Sequence, residues 1–229
     1  MQKMKTTGKL KTTGLSRETI LDVYKAVMRG RRVDERLWQL TRIGKFSFNI
    51  SGQGAEVGQA AMALAFDYDK DYFLPYYRHL TAVLMWGMTT KDIMLAGFGK
   101  EADPASHVRQ MPSHYGSKAH NIVSHSSPVS TQYPISAGIA YGAQMRGEDY
   151  VTVVTTGDGS FSQGECAEAM NIAGVHKMPV VFVVENNGYA ISVPDKEQYA
   201  VEKLADRGPA FGFKAVSYTH LRAHETRSN

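Results

Sequence analysis

The chain has 229 residues, 43% of them hydrophobic and 21% charged, the make-up of an ordinary globular protein with one sizeable domain or most of a larger one. Its one cysteine, Cys166, excludes an internal disulfide framework and suits a reducing, cytoplasmic setting, and no apolar run approaches the roughly 20 residues that cross a bilayer. The net charge of +4 sits at the ends, where Lys3, Lys5, Lys9, Lys11, Lys214, Arg222 and Arg227 face only Glu225, so the body is slightly acidic and offers no basic footprint for nucleic acid.

Residues 1–15 are basic and acid-free but lack the apolar centre of a secretory signal, and they read as a disordered lead-in. From Ser16 to about Ile43, apolar Ile20, Leu21, Val23, Tyr24 and Val27 recur at helical spacing, and Gly44 closes the segment. A second helix is expected over 55–65. Residues 67–78 read as extended and aromatic, ending in Pro75-Tyr76-Tyr77-Arg78, with short helical stretches at 79–86 and 90–97. From 97 to 132 the chain is rich in Gly, Ser, His and Pro with little periodicity, and a loop that long inside a domain is usually functional or disordered.

Pro134 is expected to open a small-residue helix through Ala143, since proline suits a first helical position. Then comes a β-branched run, 151–155, of the kind buried in parallel sheets. Gly157-Asp158-Gly159 follows, then a helix over 163–175 and a second buried strand, 179–184. Strand, Gly-rich turn, helix and strand make a βαβ unit, so the fold class is α/β: a parallel sheet with helices on both faces. One domain spans 16–213. The last sixteen residues, 214–229, have no core periodicity and read as a foreign tail on an incomplete domain.

Ligands of open α/β sheets sit at the carboxyl ends of the strands. Here those ends carry Gly157-Asp158-Gly159-Ser160 and Glu185-Asn186-Asn187-Gly188-Tyr189, with Asp158 and Asn187 29 positions apart, about one βαβ unit. Magnesium takes hard oxygen ligands, typically one or two carboxylates plus phosphate oxygens. Asp158 offers a carboxylate, Asn187 an amide oxygen and Tyr189 a main-chain carbonyl. The glycines let backbone N–H groups approach a phosphate beside a helix N-terminus. Either motif alone is ordinary turn chemistry; both at this spacing describe a metal–diphosphate site.

The stretch GDGSFSQGECAEAMNIAGVHKMPVVFVVENNGYAIS resembles the thiamine diphosphate motif, in the version found in α chains of 2-oxo acid dehydrogenases. The resemblance extends upstream through LPYYRHLTAVLMWGMT, HVRQMPSHYGSK and VSHSSPVSTQYPISAGIAYG, covering roughly 16–213, and RQMPSHYG and SSPVSTQ are nearest the branched-chain enzyme. It implies that Tyr77 and Arg78 contact the cofactor diphosphate and that Ser127 and Val129 line the cofactor. Asp158, Asn187 and Tyr189 would bind magnesium, with Gly157, Gly159 and Ser160 shaping the diphosphate pocket. Ser126, Pro128, Thr131 and Gln132 would hold a potassium ion. Phe46 and Phe48 would face the acyl chain of the substrate, against the competing reading of ordinary core aromatics.

The resemblance also implies an α2β2 assembly that decarboxylates a branched-chain 2-oxo acid and passes the acyl group to a lipoyl acyltransferase. It assigns no catalytic side chain to this chain: the activating glutamate is expected on the β chain, and a histidine loop beyond its end. His220 and His224 match nothing. Three rivals stay open: the pyruvate or acetoin dehydrogenase α chain, a non-catalytic cofactor-binding fragment, and a nicotinamide-binding fold. The last would want Gly-x-Gly-x-x-Gly where this chain has Gly-Asp-Gly-Ser-Phe-Ser.

Overall fold

The computed structural model describes residues 14–218, so most of the lead-in and of the tail, with His220 and His224, lies outside the described residues. Helix α1 spans Arg17–Arg42. Ser16 caps it, its hydroxyl accepting from the Thr19 N–H at 3.0 Å, with Glu18 in the positive first turn. Its buried positions Ala26, Gly30, Val33, Leu37 and Leu40 recur every three to four residues, the stripe that period 3.6 demands. After it come α2 (Glu56–Ala63), β1 (Tyr72–Leu74), α3 (Leu80–Met85) and α4 (Thr90–Gly97). The second half of the chain supplies α5 (Gln132–Arg146), β2 (Thr152–Gly157), α6 (Gly164–His176) and β3 (Val180–Glu185), then a small antiparallel hairpin, β4 (Tyr189–Ala190) and β5 (Val193–Pro194).

The sheet is three-stranded and wholly parallel, in the order β1-β2-β3, with Phe73 opposite Val153 and Val153 opposite Val181. Strand side chains alternate, so the sheet feeds two cores. Phe73 and Val153 pack with Val33, Leu37, Val83 and Trp86 from α1 and the region of α3. Leu74 and Val154 pack with Tyr133, Ala137, Ala140, Cys166 and Ala173 from α5 and α6. Helices therefore cover both faces, as the βαβ pattern predicts. β2 is the central strand and is buried along nearly its whole length, whereas β3 is an edge, with Val181 39% exposed.

Three expectations shift. The extended stretch 67–78 contracts to β1, because Asp67 begins a turn in which its backbone N–H and the Val151 N–H both bond the Asp71 carboxylate. Pro134 is the third residue of α5 rather than the first, still within the turn whose N–H groups have no helical acceptor. The long loop is held by its own turns: five non-glycine residues between 107 and 130 have positive φ, and the buried Asp103 carboxylate accepts from the N–H groups of Ala105, Ser106 and Val108. Part of it, residues 121–123, runs beside β1, with Val123 N–H donating to the Phe73 carbonyl at 2.9 Å.

Candidate functional site

Three strand ends and one helix approach meet at the carboxyl edge of the sheet. β1 delivers Pro75-Tyr76-Tyr77-Arg78, β2 delivers Gly157-Asp158-Gly159-Ser160, and β3 delivers Glu185 and the Asn-Asn-Gly turn. The 126–132 segment reaches the same edge, because the Ser130 hydroxyl donates to the Ser160 carbonyl at 2.6 Å and Gln132 Nε2 donates to the Thr155 carbonyl at 3.0 Å.

The two halves of the expected metal site touch. A Cβ built on Gly159 would lie 2.5 Å from the Ala190 Cβ, so only glycine lets the β4 hairpin sit this close to the Gly-Asp-Gly turn. Asp158 is 1% exposed. It accepts from Gln198 Nε2 at 3.3 Å, and the same Gln198 nitrogen donates to the Val193 carbonyl at 3.0 Å, tying the carboxylate to the hairpin. Among the described residues no Lys or Arg pairs with Asp158. A buried carboxylate without a countercharge is costly, and a divalent cation relieves that cost. Gln198 Oε1 is buried without a hydrogen-bond partner beside it.

Asn187 Oδ1 accepts from the Tyr189 N–H at 3.0 Å, which folds the turn, and an amide oxygen retains a second lone pair for a ligand. Tyr189 is exposed. The donor set of carboxylate, amide oxygen and main-chain carbonyl is hard and oxygen-only, as magnesium requires. No group of three His, Cys, Asp or Glu is arranged around a metal among the described residues, and a set with a single carboxylate is not of that kind.

Tyr77 and Arg78 are half-buried at the opposite wall. Arg78 Nη1 donates to the Ser51 carbonyl at 2.6 Å, and the guanidinium lies 5.3 Å from the Tyr77 ring centre. Ser51 is itself fixed from α1: the buried Asp34 carboxylate accepts from Asn49 Nδ2 at 2.7 Å, the Ser51 hydroxyl at 2.5 Å and the Gly52 N–H at 3.2 Å. A guanidinium held through one nitrogen keeps the rest of its donor fork free to meet a phosphate. Neither Asp34 nor its loop was signalled by any motif.

Of the four oxygen donors expected around a potassium ion, Gln132 is buried and its Oε1 has no partner. The Pro128 carbonyl accepts from the Thr131 hydroxyl at 3.0 Å, and Ser126 is half-buried. Ser127 and Val129 face solvent, with Ser127 Oγ 2.7 Å from His114 Nε2. Phe46 does not join the crevice. It is 4% exposed, packs edge-on to Phe98 with ring centres 5.6 Å apart, and presses so close to Gly97 that a methyl there would overlap its ring. Phe48 is half-buried and outside both core clusters.

Beneath His114, at 4.9 Å and nearly parallel, lies the ring of His125. Burial, and then the nearby His114, lowers the His125 pKa from 6.5 to about 3. His125 is therefore expected to stay neutral through an NMR titration from pH 8 to 5. In the unfolded chain the same ring takes up a proton near pH 6.5, so between about 6.5 and 3 the unfolded state binds more protons and stability falls as pH falls. A His125 inflection near 6.5 in the folded protein would refute the burial.

The dehydrogenase E1 component family model matches residues 24–217. The 2-oxoisovalerate dehydrogenase subunit alpha of Bacillus subtilis is 47% identical over 92% of this chain and 64% of its own length. The mitochondrial subunits alpha of 2-oxoisovalerate dehydrogenase from Caenorhabditis elegans and Homo sapiens are 36% and 33% identical over 87% and 88% of this chain, and 46% and 45% of theirs. The chain thus spans about half to two thirds of the length of these relatives.

Proposed function

The chain belongs to the dehydrogenase E1 component family, and from this premise we propose that it forms the cofactor-binding part of the α subunit of a branched-chain 2-oxo acid dehydrogenase. The observation that carries the reading is the buried, uncompensated Asp158 carboxylate beneath a hairpin that only glycine at 159 lets close. Asp158, Asn187 and the Tyr189 carbonyl hold magnesium, and Gly157, Gly159 and Ser160 shape the diphosphate pocket. Tyr77 and Arg78 reach the diphosphate from the far wall. Gln132 Oε1, with oxygens of Ser126, Pro128 and Thr131, holds a potassium ion. Ser127 and Val129 line the cofactor.

The chemistry that thiamine diphosphate supplies when bound is attack on the 2-oxo carbon and an electron sink for loss of carbon dioxide. What this chain contributes is orientation and charge: an anion anchored by metal and arginine, on the ends of strands hydrogen-bonded into one parallel sheet. The activating carboxylate comes from a β chain, in an α2β2 assembly that delivers its acyl group to a lipoyl acyltransferase. Ile135, Tyr141 and Met145 support such a partner, being exposed along one face of α5 at 41%, 40% and 73%. Among the described residues no helix is long and apolar enough to cross a membrane. The single, buried cysteine fits a reducing location such as the cytoplasm.

Calorimetric titration of magnesium and thiamine diphosphate into the folded chain tests the half-site. Addition of a matching β chain then tests turnover, with 2-oxoisovalerate set against pyruvate. Metal-dependent binding followed by preferential decarboxylation of 2-oxoisovalerate is the expected result. Preference for pyruvate would move the substrate to the rival reading, and no metal-dependent binding with or without the β chain would sink the site.

A further inference from the structure

Glu185 ends β3 opposite Gly157, one residue before Asp158 in the neighbouring strand and two before Asn187 in its own. A valine there would continue the packing of Val183 and avoid the cost of desolvating a carboxylate. Instead the carboxylate sits in a polar cluster drawn from α2 and from the segment that joins β1 to α3. Oε2 accepts from the Tyr76 hydroxyl at 3.0 Å and lies 3.3 Å from His79 Nε2, and Oε1 accepts from Gln59 Nε2 at 3.2 Å. Burial alone would raise its pKa, yet the hydrogen bonds and charge of His79, Gln59 and Tyr76 together hold it below the usual carboxylate range. Burial and the Glu185 charge push the Tyr76 phenol up, so that it stays a donor.

These partners are not scattered. Gln59, 3% exposed, also donates from Nε2 to the Arg78 carbonyl at 3.0 Å and accepts from the Thr81 N–H at 3.1 Å. Tyr76 is fixed at its other end by its N–H on Thr155 Oγ1 at 3.0 Å. The carboxylate therefore ties the segment carrying Tyr77 and Arg78 to the strand end carrying Asn187. We infer that Glu185 is a positioning residue, setting the spacing between the arginine wall and the metal wall of the crevice through Tyr76 and Gln59. The inference rests on the proposed cofactor site for its purpose, though not for its geometry.

The test compares the full chain with Glu185→Ala and Glu185→Gln. The glutamine keeps a side chain of the same shape and an acceptor for Tyr76 while losing the charge. Amide hydrogen exchange is read over 75–79, 185–189 and, as a control, α6. In Glu185→Ala both site segments are expected to exchange about tenfold faster, with α6 unchanged and Glu185→Gln near the parent. Affinity for magnesium with thiamine diphosphate should fall about tenfold in Glu185→Ala and return to within about threefold in Glu185→Gln. Faster exchange in 185–189 alone, or in α6 as well, would overturn the inference and leave a local or general packing role. So would a glutamine variant as impaired as the alanine. If the parent chain binds no cofactor with or without a β chain, the proposed site has failed, and the exchange comparison still decides the fate of Glu185.

Discussion

Asp158→Ala is expected to abolish magnesium-dependent binding of thiamine diphosphate while leaving the fold intact. Loss of an outer partner of a metal ligand typically costs 10- to 100-fold in affinity, so loss of the one carboxylate in the set should cost on the order of 100-fold or more. The stability arm is the diagnostic one. Asp158 is 1% exposed and draws a 3.3 Å bond from Gln198, and among the described residues no Lys or Arg pairs with it. Removing a buried charge that has no countercharge relieves a desolvation penalty, so the metal-free variant should melt no lower than the parent. A carboxylate present for structure would behave oppositely, with a lower midpoint and unchanged binding. Asp158→Asn should fall between, since it keeps an oxygen donor and the Gln198 contact but loses the charge proposed to hold magnesium.

The meeting of the two turns proposed to form that site was legible because they are written in short segments. The Gly-Asp-Gly and Asn-Asn-Gly turns follow two β-branched runs one βαβ unit apart, and strand periodicity alone puts both at one edge. The edge closes as that pattern requires, with Ala190 against Gly159. What the sequence does not mark is the second layer. Asp34 lies in a helix that reads as an ordinary amphipathic face, yet its carboxylate gathers Asn49, Ser51 and Gly52 and through Ser51 holds Arg78. Gln59 and Glu185 are separated by 126 positions and meet only because α2 packs beside the end of β3. No local pattern encodes such a pair, and their burial is the one clue a composition plot would have hidden. The core was legible only in part. Helical period is visible in α1, but of the residues that marked it Ile20, Leu21 and Tyr24 are exposed and Val23 and Val27 half-buried. The buried stripe is Ala26, Gly30, Val33, Leu37 and Leu40, further along the helix where it meets the sheet core.

Phe46→Ala is expected to lower stability by about 3–5 kcal/mol, the usual cost of emptying a buried aromatic site. For a domain of this size that amounts to a fall in Tm of roughly 6–20 °C, which a thermal scan resolves easily. The reason is local and cannot be repaired cheaply. The tip of the ring fills the space where a side chain at Gly97 would stand, and the ring meets Phe98 edge-on at 5.6 Å and shares the cluster that holds Leu37, Leu40 and Ile93. Gly97 closes α4 in the space that the ring leaves, so truncation opens a void with backbone on one side, where relaxation is most restricted. Phe48, half-buried two residues on and outside the cluster, supplies the contrast. Its replacement by alanine should cost far less stability, and of the two rings it is the one we propose to shift the KM ratio between branched and unbranched 2-oxo acids. If Phe46→Ala instead kept its Tm within about 2 °C and shifted that KM ratio, the ring would be lining the acyl pocket, and the packing seen here would have to open when substrate binds.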